Sequence, residues 1–147
     1  MKENQFVVFT MDEEEYAVDI MKVCEINRLK EINITQVPKV PTYIEGIINL
    51  RGNVVPVIHL RKKFGLADKS ITKESRIIII KAAGKTIGIL VDGISHVVSL
   101  EPGEIAAPPE EMHMNLAYVA AIGQKGKRMI FLLDVEKMME PGEMVCT

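Results

Sequence analysis

Four isoleucines in a row, Ile77 to Ile80, stand between Arg76 and Lys81 and set the strongest constraint on this fold. β-branched side chains are stiff at χ1 and suit a pleated strand better than a helix. Successive side chains of a strand point to opposite faces. A run with no polar alternate has no face to leave wet, so apolar material must cover both sides.

The rest of the chain reads as further short strands. Gln5 to Met11 is apolar, Asp12-Glu13 turns it, and Glu14 to Asp19 alternates, which predicts a first hairpin. Ile20, Val23 and Ile26 fall three apart and fit a helical turn from Ile20; Val23 to Ile26 fits a strand equally, and periodicity leaves both open. Asn27 to Ile34 is mixed, a strand or ribbon. Pro38 and Pro41 exclude helix and central strand and mark an extended connector. In Gly46 to Gly65 two apolar runs flank the turn pair Gly52-Asn53, predicting a second hairpin with Arg51 at its tip. A basic amphipathic piece, Arg61 to Phe64, follows, then a polar loop from Ala67 to Lys73. Turn signals at Ala82 to Gly84 and at Asp92-Gly93 delimit strands from Thr86 to Val91 and from Ile94 to Leu100. Pro102-Gly103 and Pro108-Pro109 frame a loop ending in the Met- and acid-rich stretch Glu110 to Met114. Leu116 to Ile122 and Arg128 to Leu133 are the last apolar runs. Asp134 is a suitable N-cap for a closing helix, Val135 to Met139, stopped by Pro141-Gly142. About nine or ten short strands with turns every 8–12 residues is the pattern of barrels and sandwiches.

One internal echo runs through this pattern. Gly52-Asn53, the strand from Val54, His59 and the piece after Leu60 form one unit. Gly126-Lys127, the strand from Arg128, Asp134 and the piece after Val135 form another, offset by one residue. Two related small β-units, each closed by a turn of helix, are expected to share an interior, because neither is long enough to bury much alone.

Composition excludes several functions. The chain has 147 residues, 48% of them apolar and 26% charged, with a net charge of −2. Nucleic acid and anionic membranes reward a concentrated basic face, so neither is the expected partner. Aromatic residues make up 5% and Trp is absent, which argues against a base-stacking platform. Acids interrupt the N-terminus after Thr10, so no signal peptide is expected. No run approaches the roughly 20 apolar residues of a membrane helix. Two cysteines, Cys24 and Cys146, do not make a disulfide framework, and a reducing cytoplasm is the simpler expectation.

Catalytic chemistry finds little to stand on. His59, His96 and His113 are scattered, and none has a second His or Cys at metal spacing. His113 and Glu111 fall together on a loop, where both read as solvated. Gly84-Lys85-Thr86 spells the tail of a phosphate loop, but the motif needs a glycine where Ile79 stands, so a hairpin turn is the better reading. No catalytic residues, metal or cofactor are expected. What remains is Arg51 at its tip, Glu25 as an acid among apolar neighbours, and an apolar surplus available for protein contacts.

The run GIINLRGNVVPVIHLRKKFG, preceded by Val37-Pro38 and Pro41, strongly resembles the CheW family of bacterial chemotaxis coupling proteins. GILVDGISHVVSL resembles its second signature, and FVVFTMDEEEYAVDIMKVCEI its opening hairpin and "V-x-E-I" pattern; together the similarity covers about residues 5 to 140. The resemblance implies an all-β fold of two intertwined five-stranded SH3-like β-barrels with short helices and a shared hydrophobic core. The chain would be a single domain, 1–147, with one barrel subdomain at roughly 15–85 and the other in the remainder. It implies a non-catalytic adaptor that couples the cytoplasmic tips of chemoreceptors (methyl-accepting chemotaxis proteins) to the regulatory domain of the histidine kinase CheA. The expected location is the cytoplasm, at membrane-associated receptor arrays. In the family the groove between the barrels takes the receptor's helical hairpin, and barrel surfaces meet the kinase. Carried onto this sequence, the partner-binding positions are Arg51 with Gly46 and Gly52, and Val23, Glu25 and Ile26. Asp92-Gly93 matches a turn of structural role. His59 stands where the family commonly has Asp, and His96 where an acid is common. No receiver domain follows, so a variant carrying one is not expected. The alternative is a small β-barrel module binding a ligand or peptide in another two-component pathway.

Overall fold

The computed structural model describes residues 4–67, 69–110 and 118–138. His113, Glu111, Met114, Leu116, Met139, the Pro141-Gly142 stop and Cys146 lie outside the described residues. The strands are β1 (Asn4–Met11), β2 (Glu14–Asp19), β3 (Val23–Arg28), β4 (Ile44–Leu50), β5 (Asn53–His59), β6 (Arg76–Ala82), β7 (Lys85–Val91), β8 (Gly93–Leu100), β9 (Ile105–Ala106), β10 (Val119–Lys125) and β11 (Arg128–Leu133). Two single-turn helices, α1 (Leu60–Lys63) and α2 (Val135–Met138), follow β5 and β11. The ambiguous stretch after Asp19 resolves into both readings: a 3-10 turn, Ile20–Lys22, capped by the Asp19 carboxylate, and then β3. The stretch expected as strand or ribbon leaves β3 at Arg28 and coils through a second 3-10 turn, Leu29–Glu31.

The strands form two sheets, one of six strands in the order β8-β1-β2-β11-β10-β9 and one of five in the order β3-β6-β7-β5-β4. Among the described residues the end strands of neither sheet pair with each other, so neither is closed into a barrel by its ladder. The five-stranded sheet draws on residues 23–91. β2, all but its first residue inside the 15–85 stretch expected to form one unit, pairs with β1 in the six-stranded sheet, because the tight turn at Asp12 folds it straight back.

The echo is structural. β5 pairs antiparallel with β4 and parallel with β7; β11 pairs antiparallel with β10 and parallel with β2. Both antiparallel pairs carry a register shift two residues after their start, at Gly46 and at Ala121. His59 N donates to Tyr43 O (2.7 Å), and Asp134 N donates to Tyr118 O (2.8 Å), tying the two strand ends in the same way. The N-terminal hairpin β1–β2 thus does for the second unit what β6–β7 does for the first. The expected N-cap is present, with Asp134 Oδ1 accepting from Lys137 N at 3.0 Å.

The isoleucine run shows why both faces needed cover. Ile77 and Ile79 face the interior of the five-stranded sheet, with Ile48, Val55, Val57 and Leu90. Ile78 and Ile80 face the other way, into a core between the sheets with Phe9, Val18, Ile58, Leu133 and Val135. All four isoleucines are fully buried. A third cluster, including Phe6, Val8, Leu100 and Ile130, fills the six-stranded sheet.

Candidate functional site

The β4–β5 hairpin ends in a two-residue turn at Arg51 and Gly52, not at Gly52-Asn53 as the sequence had implied. Leu50 pairs with Asn53, and Asn53 already belongs to β5. Arg51 (φ 51°) and Gly52 (φ 89°) are both left-handed, the geometry of the turn whose twist matches a hairpin. Gly52 adopts this at no steric cost, whereas Arg51 does so with a Cβ in place. Asn49 Oδ1 accepts from Gly52 N at 2.8 Å and pins the turn from inside.

The turn sends the Arg51 side chain across to β3, where its Nη2 donates to Glu25 Oε2 in an ion pair. Asn27 Nδ2 donates to Glu25 Oε1 at 2.9 Å, so both carboxylate oxygens are held. β3 and β4 are the two edges of the five-stranded sheet, and this contact spans them. Arg51 is 71% exposed while Glu25 is 26% exposed, so the acid is the sheltered partner. The Arg51 hydrogen bond, helped by Asn27, holds the Glu25 carboxyl below the usual glutamate range. The same bond raises the Arg51 guanidinium. The two candidates that looked unrelated in the sequence are therefore one unit.

Beside this pair lies an open groove of ≈ 590 Å³, lined among others by Cys24, Leu50, Arg51, Val54, Lys81 and Lys85. Val54 is 69% exposed there, and Ile26 is exposed on the outer side of β3. Cys24 is a free, exposed thiol. The remaining expected contact positions serve packing. Val23 leans on the core between the sheets. Gly46 is buried where the connector closes on β4, because Thr35 and Ile47 exchange two 2.8 Å backbone bonds over it. A Cβ at Gly46 would stand 2.7 Å from Ile34 Cγ2 and closer still to Thr35 O. His96 is exposed, with Nδ1 2.6 Å from Ser95 Oγ, and His59 is buried at the end of β5.

Sequence reasoning missed Arg61. The basic amphipathic piece gives it no separate role, yet it is buried on α1, with Nη1 2.7 Å from both Asp12 Oδ1 and Asp92 Oδ2 and Nε donating to Ala67 O. The available signal was its place directly after the apolar run that ends at Leu60, together with acids at both turns. Among the described residues no group of three or more His, Cys, Asp or Glu could hold a metal ion, and no helix is long and apolar enough to cross a membrane.

Comparison with known proteins decides the family. The CheW-like domain profile matches residues 5–142. The chain belongs to the CheW-like family. This CheW-like chain is 37% identical to the chemotaxis protein CheW of Klebsiella aerogenes over 141 residues, covering 95% of this chain and 84% of that protein. It is 34% identical to CheW of Helicobacter pylori, covering 92% and 81% of the two chains. The crystal structure of the scaffolding protein TtCheW from Thermoanaerobacter tengcongensis superposes with a TM-score of 0.88 at 36% identity, covering 97% of this chain and 96% of that one. The mostly-β, two-sheet architecture is therefore that of a CheW scaffold.

Proposed function

We propose that this protein is a non-catalytic coupling adaptor of bacterial chemotaxis, joining chemoreceptor cytoplasmic tips to the histidine kinase CheA. The observation that carries this reading is the match over residues 5–142 to proteins named for chemotaxis, at an overall geometry shared with a CheW scaffold. Each sheet, with its own apolar interior, acts as an SH3-like barrel unit: Lys125 Nζ on β10 reaches Ser99 O on β8 at 2.9 Å, and Arg51 reaches Glu25 across the other sheet. The whole chain, 1–147, works as one domain at receptor arrays on the cytoplasmic side of the membrane. The hairpin tip is the contact edge. Exposed Val54 on the hairpin and exposed Ile26 on β3 supply apolar area, and the Arg51–Glu25 pair that joins the two edges fixes charge beside them. The physical work is complementarity: apolar anchors give affinity and a few placed charges give register.

Co-sedimentation with receptor-containing membranes, with and without CheA, tests this. The adaptor reading expects the protein to pellet with receptors and to carry CheA into the pellet. Protein left in the supernatant under both conditions contradicts it.

A further inference from the structure

The topological equivalence of the two units extends to a pair of crossed clasps. Align β5 with β11, so that His59 matches Asp134. The second residue of each following helix is then Arg61 in α1 and Glu136 in α2. Both are charged, with opposite signs, and both leave their own sheet.

Arg61 follows the five-stranded sheet and reaches the turn of β1–β2, a hairpin of the six-stranded sheet, through Asp12. Glu136 follows the six-stranded sheet and reaches the turn of β6–β7, a hairpin of the five-stranded sheet, where its Oε2 accepts from Ala83 N at 3.0 Å. Asp12 (φ 57°) and Ala83 (φ 52°), the first residues of those two turns, are both left-handed. The third members also correspond. Asp92 immediately precedes β8, the edge strand of one sheet; Lys22 immediately precedes β3, the edge strand of the other. Asp92 Oδ2 accepts from Arg61 Nη1 at 2.7 Å and from Asp12 N at 3.0 Å. Lys22 Nζ donates to both Glu136 oxygens at 2.7 and 2.9 Å. Each clasp thus joins a helix residue, the residue before an edge strand and a hairpin-turn N–H, with the charges of helix and edge residues inverted between the two.

Apolar packing is not directional. The core between the sheets holds them together, but by itself it is a weak determinant of their relative rotation. Charge-assisted hydrogen bonds are directional. Two such bonds crossing the same joint in opposite senses fix a rotation that neither could fix alone. We propose that Arg61 and Glu136 are positioning residues of the adaptor: they lock the angle between the two sheets, and so the angle between the surfaces that each sheet offers to a partner. This rests on the coupling reading, since an adaptor transmits only what its geometry holds constant.

The test measures the angle itself. Nitroxide labels at Val54→Cys and Met129→Cys, one exposed residue on each sheet, are placed in a Cys24→Ser, Cys146→Ser background. Electron–electron dipolar spectroscopy should give one narrow distance distribution. Glu136→Gln, which leaves the core untouched, should broaden or shift it; Arg61→Gln should do so more strongly, and Arg61→Lys should recover most of the narrow peak. Amide exchange within β6 and β1 should stay unchanged, showing that each sheet is intact. In a receptor–CheA assay Glu136→Gln should lose kinase stimulation severalfold while still pelleting with receptors. A distribution unchanged in the Arg61→Gln, Glu136→Gln double variant overturns the proposal, because the core alone would then set the angle. Failure of the unsubstituted protein to pellet overturns the adaptor reading instead, and leaves the distance result standing.

Discussion

Replacing Gly46 with alanine probes a close backbone approach on the five-stranded sheet. The added methyl group would lie 3.0 Å from the Thr35 carbonyl carbon and 2.7 Å from Ile34 Cγ2, and nearer still to Thr35 O. Ile34 can rotate, but the carbonyl is held by the two 2.8 Å bonds that Thr35 exchanges with Ile47. Restoring normal contact requires the connector to retreat by about 1 Å, which takes both bonds out of range. Losing them costs about 1 kcal/mol each, and keeping them forces overpacking of about 1–3 kcal/mol. Either route costs about 2 kcal/mol. For a chain of this size, Tm falls about 2–4 °C per kcal/mol, so thermal melts followed by circular dichroism should show a drop of about 4–8 °C. A Tm within roughly 2 °C of the unsubstituted protein would refute the reasoning.

The tip separates turn from contact. Asn tolerates the left-handed geometry of position 51 better than Arg, so Arg51→Asn should leave Tm unchanged or slightly raised while receptor-dependent CheA stimulation falls; a parallel loss of Tm would show that the pair with Glu25 is structural only. Glu25 has its folded-state pKa lowered by Arg51, so its contribution to stability is present above the unfolded glutamate pKa of about 4.3 and fades as pH falls through the folded value. An NMR titration should find Glu25 protonating at lower pH in the unsubstituted protein than in Arg51→Gln, and identical midpoints would contradict this. Ile78→Ala and Ile79→Ala should each cost about 2–5 kcal/mol in urea denaturation, since each empties a different core; a small effect from either would mean that one face of β6 is not sealed.

Much of the fold was legible because it depends on local chemistry. The isoleucine run announces a strand covered on both faces, and Gly and Asp pairs announce hairpins. The turn at Arg51 was misplaced by one residue because Gly52 could serve as its first or second member, and only the register of Leu50 against Asn53 decides. The parallel pairings of β5 with β7 and of β2 with β11 were not legible, since no local signal links strands so far apart in sequence. The same holds for Glu25 and Arg51, each noticed for an odd charge but brought together only when β3 and β4 become the two edges of one sheet. Arg61 was hidden by type: one basic residue in a basic run does not stand out until its two acids, in turns of different strand pairs, converge on it.

The central claim is that this chain couples receptors to a kinase through the hairpin edge. Autophosphorylation of CheA should be measured in reconstituted receptor membranes with no adaptor, with the unsubstituted protein, and with Arg51→Glu, which sets two acids side by side at the tip. The account predicts strong stimulation by the unsubstituted protein and a return to the adaptor-free rate with Arg51→Glu, while circular dichroism still shows that variant folded. Equal stimulation by both proteins would contradict it.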